Sequence, residues 1–170
     1  MSRAARVVIG VTALFLLIIS IAGAASGPRI GSSQASVDRG WRRDGAPCIG
    51  GICGYKVVYR QPLWIQVEYS HSQAISFQLG FDPDRFSSSG PSPAPKAYWN
   101  LLTSLLPSGA RRTACRYIRK TGGNEGPASA CMYGYHGKHI LVAHYVTANS
   151  NLDIGRVALN EDFSWIEAAR

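Results

Sequence analysis

A regular alternation of apolar and polar residues between Gly54 and Phe81 constrains the fold more than any other feature of the chain. The apolar residues fall on odd positions, in three groups: Tyr55, Val57 and Tyr59; Leu63, Ile65, Val67 and Tyr69; and Ile75, Phe77, Leu79 and Phe81. Successive side chains of a β-strand point to opposite faces of a sheet, so this period of two predicts three strands with one buried face. Polar segments at residues 60–62 and 70–73 mark the turns. This half is therefore predicted to be an antiparallel three-stranded meander.

A second set of strand-like segments lies in the C-terminal half of the chain. These segments cover residues 112–119, 128–135 and 138–147, and their alternation is less strict. A glycine-rich stretch at residues 121–127 and the dipeptide His136-Gly137 separate them. Because such residues favour turns, this half is predicted to be a second three-stranded meander.

Helices are predicted at two places outside the strands. The Pro- and Ser-rich segment 87–95 predicts a surface loop, because proline lacks the amide hydrogen that strands and helices need. Residues 96–106 carry an apolar stripe, as a helix that covers a sheet does. Asn160 followed by the acidic Glu161 predicts a short C-terminal helix. The predicted fold is α+β: a largely antiparallel six-stranded sheet of two three-stranded meanders, with a covering helix and a short C-terminal helix.

The cysteines form an even set of four: Cys48, Cys53, Cys115 and Cys131. Two glycines between Cys48 and Cys53 permit a tight turn, and a hairpin centred on Gly123 places Cys115 directly opposite Cys131. The spacing therefore predicts the disulfides Cys48–Cys53 and Cys115–Cys131. A zinc site or a redox-active pair is the alternative, but C-x4-C and C-x15-C match neither zinc-site spacing nor the C-x-x-C motif.

The N-terminal segment has the features of an export signal. Arg3 and Arg6 precede an apolar run at residues 7–23, and small residues surround Ala24. This order is typical of a cleaved signal peptide. The run is also close to the length that spans a bilayer, so residues 1–24 are either a signal peptide or an N-terminal anchor in the inner membrane. Both alternatives place the rest of the chain outside the cytoplasm, in the periplasm or secreted.

The remainder of the chain is predicted to be a flexible juxtamembrane linker at residues 25–47 and a single disulfide-bonded domain at residues 48–170. With 46% hydrophobic and 16% charged residues, the composition is that of a globular protein. The net charge of +8 falls to +6 if Arg3 and Arg6 leave with a signal peptide. For an exported protein, this charge favours an envelope glycan, an anionic lipid surface or a protein partner over a nucleic acid.

The second meander contains the candidate binding residues. If even positions such as Met132 and Ile140 form its buried face, the odd positions form an opposite surface rich in tyrosine. Tyrosine combines a large contact area with a hydroxyl group, which suits stacking on sugar rings or anchoring a protein. The alternative is that the same rings are half buried beneath a loop. The candidate binding residues are Tyr117, Arg119, Tyr133, Tyr135, His139 and Tyr145.

Motifs of catalysis are missing from the sequence, which has no G-x-S-x-G, H-E-x-x-H, Walker-type glycine loop or G-x-G-x-x-G. His139 and His144 differ in parity, which argues against a shared metal site, and no cofactor is predicted. We therefore expect an exported, non-catalytic binding protein, and enzymatic activity is left uncertain. The alternatives are a small hydrolase of an envelope polymer and a membrane-anchored accessory subunit of a larger complex.

Overall fold

The fold is built on one antiparallel sheet. The computed structural model describes residues 27–59, 61–81, 95–118, 128–146 and 153–164. Within them the strands are β1 (Arg42–Arg43), β2 (Ile52–Tyr59), β3 (Gln61–Ser70), β4 (Gln73–Phe81), β5 (Arg111–Ile118), β6 (Ala128–Tyr135), β7 (Lys138–Val146) and β8 (Asp153–Leu159). The eight strands are ordered β1-β2-β3-β4-β8-β7-β6-β5, so two four-stranded halves meet where β4 pairs with β8.

The predicted six-stranded sheet is wrong, because two further strands join it. The six predicted segments correspond to β2–β7, and β1 and β8 are additional. β1 pairs with β2 through only Arg42 and Arg43. β8 contains Gly155 and Arg156, which interrupt its apolar alternation, and it pairs with β4, a strand far away in the sequence. Alternation in a sequence is a local signal, so it reveals hairpins better than distant pairings.

Two helices occur in the described part of the chain, α1 (Gln34–Gly40) and α2 (Pro95–Ser104). Helix α1 begins after Ser33, whose hydroxyl accepts a hydrogen bond from the amide of Ser36 at 3.2 Å, as an N-cap does. Helix α2 lies close to the predicted segment 96–106 and packs against β7 and β8.

The predicted flexible linker at residues 25–47 differs from the structure, in which much of this segment packs on the sheet. Val37 of α1 is fully buried. The ring of Trp41 meets the rings of Tyr55 and Phe77 edge-on, with centroids 6.1 and 5.7 Å away. Burial of these apolar groups is the main source of stability available to the segment. Residues 30–43 therefore belong to the folded domain.

The two faces of the sheet differ in what covers them. The helix face, which includes Tyr55, Phe77, Leu79, Ile140 and Val157, packs against α1 and α2. The back face carries a second apolar cluster that packs around Phe163 from the C-terminal segment. The buried members of that cluster are Ala128, Ala130, Leu141, Ala143, Tyr145 and Ile154.

Both predicted terminal features lie mostly outside the described residues. These features are the signal or anchor at residues 1–24 and the helix after Glu161, of which only Ser164 is described as helical. Asn160 has a φ of 61° and forms the turn after β8, while Asp162 accepts the amide of Ser164 at 2.9 Å. Asp162, rather than Asn160, therefore supplies the side-chain acceptor for a backbone amide in this segment. None of the described helices has the length and hydropathy required to cross a membrane.

Candidate ligand-binding groove

The predicted tyrosine-rich surface is divided between the two faces of the sheet. The hairpin between β6 and β7 turns at His136-Gly137, so Tyr135 pairs with Lys138 and odd positions of β6 oppose even positions of β7. Directly opposed residues lie on the same face of a sheet. Tyr133 therefore lies on the face that the helices cover, beside Ile140, and Tyr145 lies on the back face. The expectation of one shared surface is therefore wrong. Whether these residues bind anything stays a prediction.

The six candidate residues fall into three groups. Tyr117, Tyr133 and Tyr135 lie on the helix face, while His139 and Tyr145 lie on the back face. Arg119 lies outside the described residues. Exposure separates them further, because Tyr133 is 9% and Tyr145 4% exposed, and burial raises the pKa of both phenols. Tyr117, at 64%, is the candidate tyrosine most available to a ligand.

Both predicted disulfides are confirmed. Cys115 and Cys131 are directly opposed on β5 and β6 and are bonded to each other. Cys48 and Cys53 close a tight turn in which Gly50 and Gly51 have φ values of 57° and 81°. Glycine adopts such values without steric cost. Disulfides persist in oxidising compartments, so the two bonds indicate an exported environment.

A cavity of about 510 Å³ lies between helix α2 and strands β5, β6 and β7. We call it the aromatic groove. On the helix face, the Cys115–Cys131 disulfide contributes to its wall. Its lining residues are Lys96, Trp99, Cys115, Arg116, Tyr117, Ser129, Ala130, Cys131 and His144. None of these described lining residues is acidic.

Helix α2 is held in place over the groove by Tyr98. The Tyr98 hydroxyl donates a hydrogen bond to the carbonyl oxygen of Leu79 at 3.0 Å, in the buried interior. Its ring also meets the imidazole of His144 edge-on, with centroids 5.2 Å apart. The next residue, Trp99, projects from the same rigid helix into the groove. Lys96 joins Trp99 there because positions three apart are neighbours on a helix surface.

Arg116 contributes to the groove wall from the edge strand, but its side chain lies on the other side of the sheet. It is opposite Ala130, a member of the back-face cluster. Its guanidinium lies over the ring of Phe163, 4.6 Å from the centroid. This cation–π contact holds the C-terminal segment against the back face. The cation nearest a ligand in the groove is therefore Lys96.

Ser129 and His144 are the two groove residues with potential for acid–base chemistry. They are directly opposed on β6 and β7, so they lie side by side on the helix face. A hydroxyl beside an imidazole is a minimal arrangement for nucleophilic catalysis, which ordinarily has a third group that orients the base. In the described part of the chain, no three His, Cys, Asp or Glu side chains come together as a metal site would require.

Sequence reasoning did not identify Lys96, Trp99 and Ser129 as site residues, and it considered His144 only as a metal ligand. The apolar stripe of α2 faces the core, and Trp99 lies beside that stripe rather than on it. An aromatic residue three positions after a lysine, just outside the buried stripe of a helix, was the available signal. Comparison with known proteins adds no relative, because no family model, curated protein or solved structure matches the chain.

Proposed function

We propose that this protein is an exported, non-catalytic binding protein of the cell envelope or extracellular space, and that the aromatic groove binds the sugar rings of an acidic glycan. The observation that carries the proposal is the pairing of Trp99 from α2 with the exposed Tyr117 from β5 across one cavity. Two aromatic rings from separate elements form walls between which an amphipathic sugar ring can insert.

The chemistry of the lining supports a sugar over a purely apolar ligand. Indole and phenol rings present apolar faces with a polar group at the edge, which matches a sugar ring with its C–H faces and peripheral hydroxyls. Ser129 and His144 add hydrogen-bonding groups to the lining of the groove. The cavity volume is within the usual range for small-molecule sites.

Charge supports an acidic glycan over a neutral one. Lys96 is exposed at the groove, and no described lining residue is acidic, so the local field favours a carboxylate or sulfate on the ligand. The net charge of +8 for the full chain acts in the same direction.

A glycan array with matched acidic and neutral glycans tests the proposal. The wild-type protein is expected to bind acidic glycans, and Tyr117→Ala and Trp99→Ala are each expected to weaken binding about tenfold, which corresponds to about 1.4 kcal/mol. Tyr117→Phe keeps the ring and should retain most of the affinity. Val58→Ala, at a back-face position that is 82% exposed, is the surface control. Equal binding by wild type and both alanine variants would exclude the groove as the site.

A small hydrolase is the second candidate, because Ser129 and His144 are adjacent in the groove. In that case Ser129 would be the nucleophile and His144 its general base. Ser129→Ala and His144→Ala should then each abolish release of reducing sugar or acyl product from a bound polymer. Retained glycan binding with no product from wild type would favour the binding protein.

We further propose that the mature protein is periplasmic or secreted after cleavage near Ala24. Retention of residues 1–24 as an inner-membrane anchor is the alternative and would suit an accessory subunit of a larger complex. The mass of the protein purified from its native host separates the two, because cleavage removes the N-terminal segment and an anchored form keeps it.

A further inference from the structure

A second cavity, of about 500 Å³, lies at the other end of helix α2. We call it the basic cleft. Lys96 and Trp99 of the aromatic groove belong to the N-terminal half of α2, whereas Ser108 of the basic cleft follows its C-terminal end, and the two cavities share no lining residue. The polar and charged side chains at the cleft are those of Arg29, Ser32, Gln73, Ser108, Tyr135 and Lys138.

Arg29 is fixed in the cleft with hydrogen-bonding capacity left over. Its Nη1 donates to the hydroxyl of Ser108 at 2.9 Å. Its Nε is buried and has no hydrogen-bond partner among the described residues. A buried donor without a partner is unfavourable, so an acceptor placed beside Nε would be favoured there.

The backbone around Arg29 is tied to two other elements. The amide of Ile30 donates to the carbonyl of Leu105 at 2.9 Å, and the amide of Gly31 donates to the carbonyl of Ala74 at 2.8 Å. These bonds fasten the segment to the end of α2 and to β4. Arg29 is therefore presented by a rigid support rather than by a free N-terminal tail.

Lys138 brings a second positive charge to the same cavity. It is the first residue of β7 and pairs with Tyr135 across the two-residue turn of the hairpin. No described residue that lines the cleft is acidic, so no described carboxylate neutralises either cation there. Gln73 and Tyr135 supply uncharged donors beside the two cations.

We propose that the basic cleft binds a phosphate group. The guanidinium of Arg29 offers a planar fork of N–H donors that matches two phosphate oxygens, and its unpartnered Nε lies on one edge of that fork. Lys138 contributes a point charge, and the amide of Gln73 and the hydroxyl of Tyr135 match further oxygens. Two cations and several neutral donors match the oxygens of a phosphate group better than the two oxygens of a single carboxylate. The phosphate is that of a free phosphoester or of an anionic phospholipid headgroup.

Inorganic phosphate is the first probe. Thermal unfolding of the wild-type protein should shift upward in a saturable way with sodium phosphate, compared with sodium chloride at the same ionic strength. Arg29→Gln and Lys138→Gln should each weaken the apparent phosphate affinity at least tenfold. Arg39→Gln removes one positive charge from an exposed position on α1 and should bind as wild type does.

The Lys138→Gln variant distinguishes a loss of phosphate binding from a failure to fold. Lys138 is exposed, so Lys138→Gln is expected to fold even if Arg29→Gln does not. Wild-type phosphate affinity in Lys138→Gln and in any folded Arg29→Gln protein would overturn the proposal. A wild-type response no larger than that to chloride would also overturn it.

Vesicles distinguish the two sources of phosphate. Binding to phosphatidylglycerol vesicles but not to phosphatidylcholine vesicles, with loss in Lys138→Gln and retention in Arg39→Gln, would assign the site to a lipid headgroup. Saturable phosphate binding without vesicle binding would assign it to a free phosphoester. Because the cleft and the groove share no residue, glycan binding by the Lys138→Gln variant is measured independently, and either proposal can fail alone.

Discussion

Tyr98 of α2 lies directly against Gly155 of β8. A Cβ atom at position 155 would lie 2.7 Å from the Tyr98 hydroxyl oxygen and 2.6 Å from Cδ2 of Leu102. Nonbonded carbon–oxygen and carbon–carbon contacts are normally longer than these two distances. The absence of a side chain at Gly155 therefore sets how closely the helix approaches the sheet. Since Trp99 follows Tyr98, the same contact fixes the wall of the aromatic groove.

Gly155→Ala is expected to destabilise the fold by about 1–3 kcal/mol, because the added methyl group pushes α2 away from β8. Urea-induced unfolding monitored by tryptophan fluorescence measures this. Gly134→Ala in β6 is the matched control, because its Cβ would come no closer than 3.5 Å to Thr113. That variant should be close to neutral. Similar losses in both proteins would show that the effect is a general cost of replacing glycine in a strand.

The two disulfides should contribute unequally to stability. The bonded cysteines are 16 residues apart in Cys115–Cys131 and 5 apart in Cys48–Cys53. The chain-entropy model gives about 3 kcal/mol for the larger loop and about 2 kcal/mol for the smaller. The double serine variants of each pair, compared by unfolding free energy, test this order. A larger loss from Cys48→Ser/Cys53→Ser would show that native contacts around that turn outweigh loop entropy.

Asp38 gives the fold a dependence on acid pH. Its carboxylate accepts a hydrogen bond from Nε of Arg43 at 2.7 Å and one from the Tyr55 hydroxyl at 2.6 Å. The bond from Arg43 is the main reason that the pKa of Asp38 lies below its usual value, although burial opposes it. The folded state therefore favours the ionised form. Its stabilising effect is present at neutral pH and is lost as the pH falls below about 4.

Asp38→Asn should remove that dependence. The side chain is 37% exposed, so solvent screening limits the expected loss at pH 7 to about 1 kcal/mol or less. Melting temperatures at pH 7 and pH 3 measure the difference, which should be smaller for the variant than for wild type. Asp44→Asn, another aspartate in the same region, serves as the comparison. An unchanged pH profile in Asp38→Asn would assign the acid sensitivity to other carboxyl groups.

Local patterns in the sequence predicted the hairpins, but not how they combine. In the first meander, Ile52 pairs with Glu68 and Leu63 with Phe81, so paired positions share parity over most of the three strands. The exception is a register shift after Glu68, which pairs Tyr69 with Ala74. Parity is also shared by Cys115 and Cys131, whose pairing was predicted correctly. The turn at His136-Gly137 reverses parity between β6 and β7, which is why Tyr133 and Tyr145 were placed on one face.

The candidate groove was harder to predict because it depends on contacts between distant segments. Trp99 and Tyr117 belong to a helix and a strand whose relative position is set by the packing of Tyr98 and Gly155. β8 carries that glycine, and β8 was the long strand that alternation did not reveal. The prediction of two separate meanders therefore identified most of the strands, but it did not predict the surface that they form together.

The ion pair between Arg156 and Glu161 should stabilise attachment of the C-terminal segment to the back face. Nε of Arg156 donates to Glu161 at 2.8 Å, and the two side chains are 13% and 24% exposed. Gln78 accepts a further bond from Arg156 at 3.2 Å. Glu161→Gln removes the carboxylate bonded to a poorly solvated guanidinium, so it is expected to cost about 1–3 kcal/mol.

The double variant Arg156→Met/Glu161→Gln separates the ion pair from simple loss of packing. If the cost of Glu161→Gln comes from loss of the carboxylate beside the guanidinium, replacing Arg156 as well should recover part of the lost stability, because the poorly solvated charge is then removed. A double-mutant cycle of unfolding free energies measures the coupling, which should be at least about 0.5 kcal/mol for residues in direct contact. Strictly additive losses would mean that Arg156 and Glu161 have no coupling energy, and would contradict a stabilising ion pair.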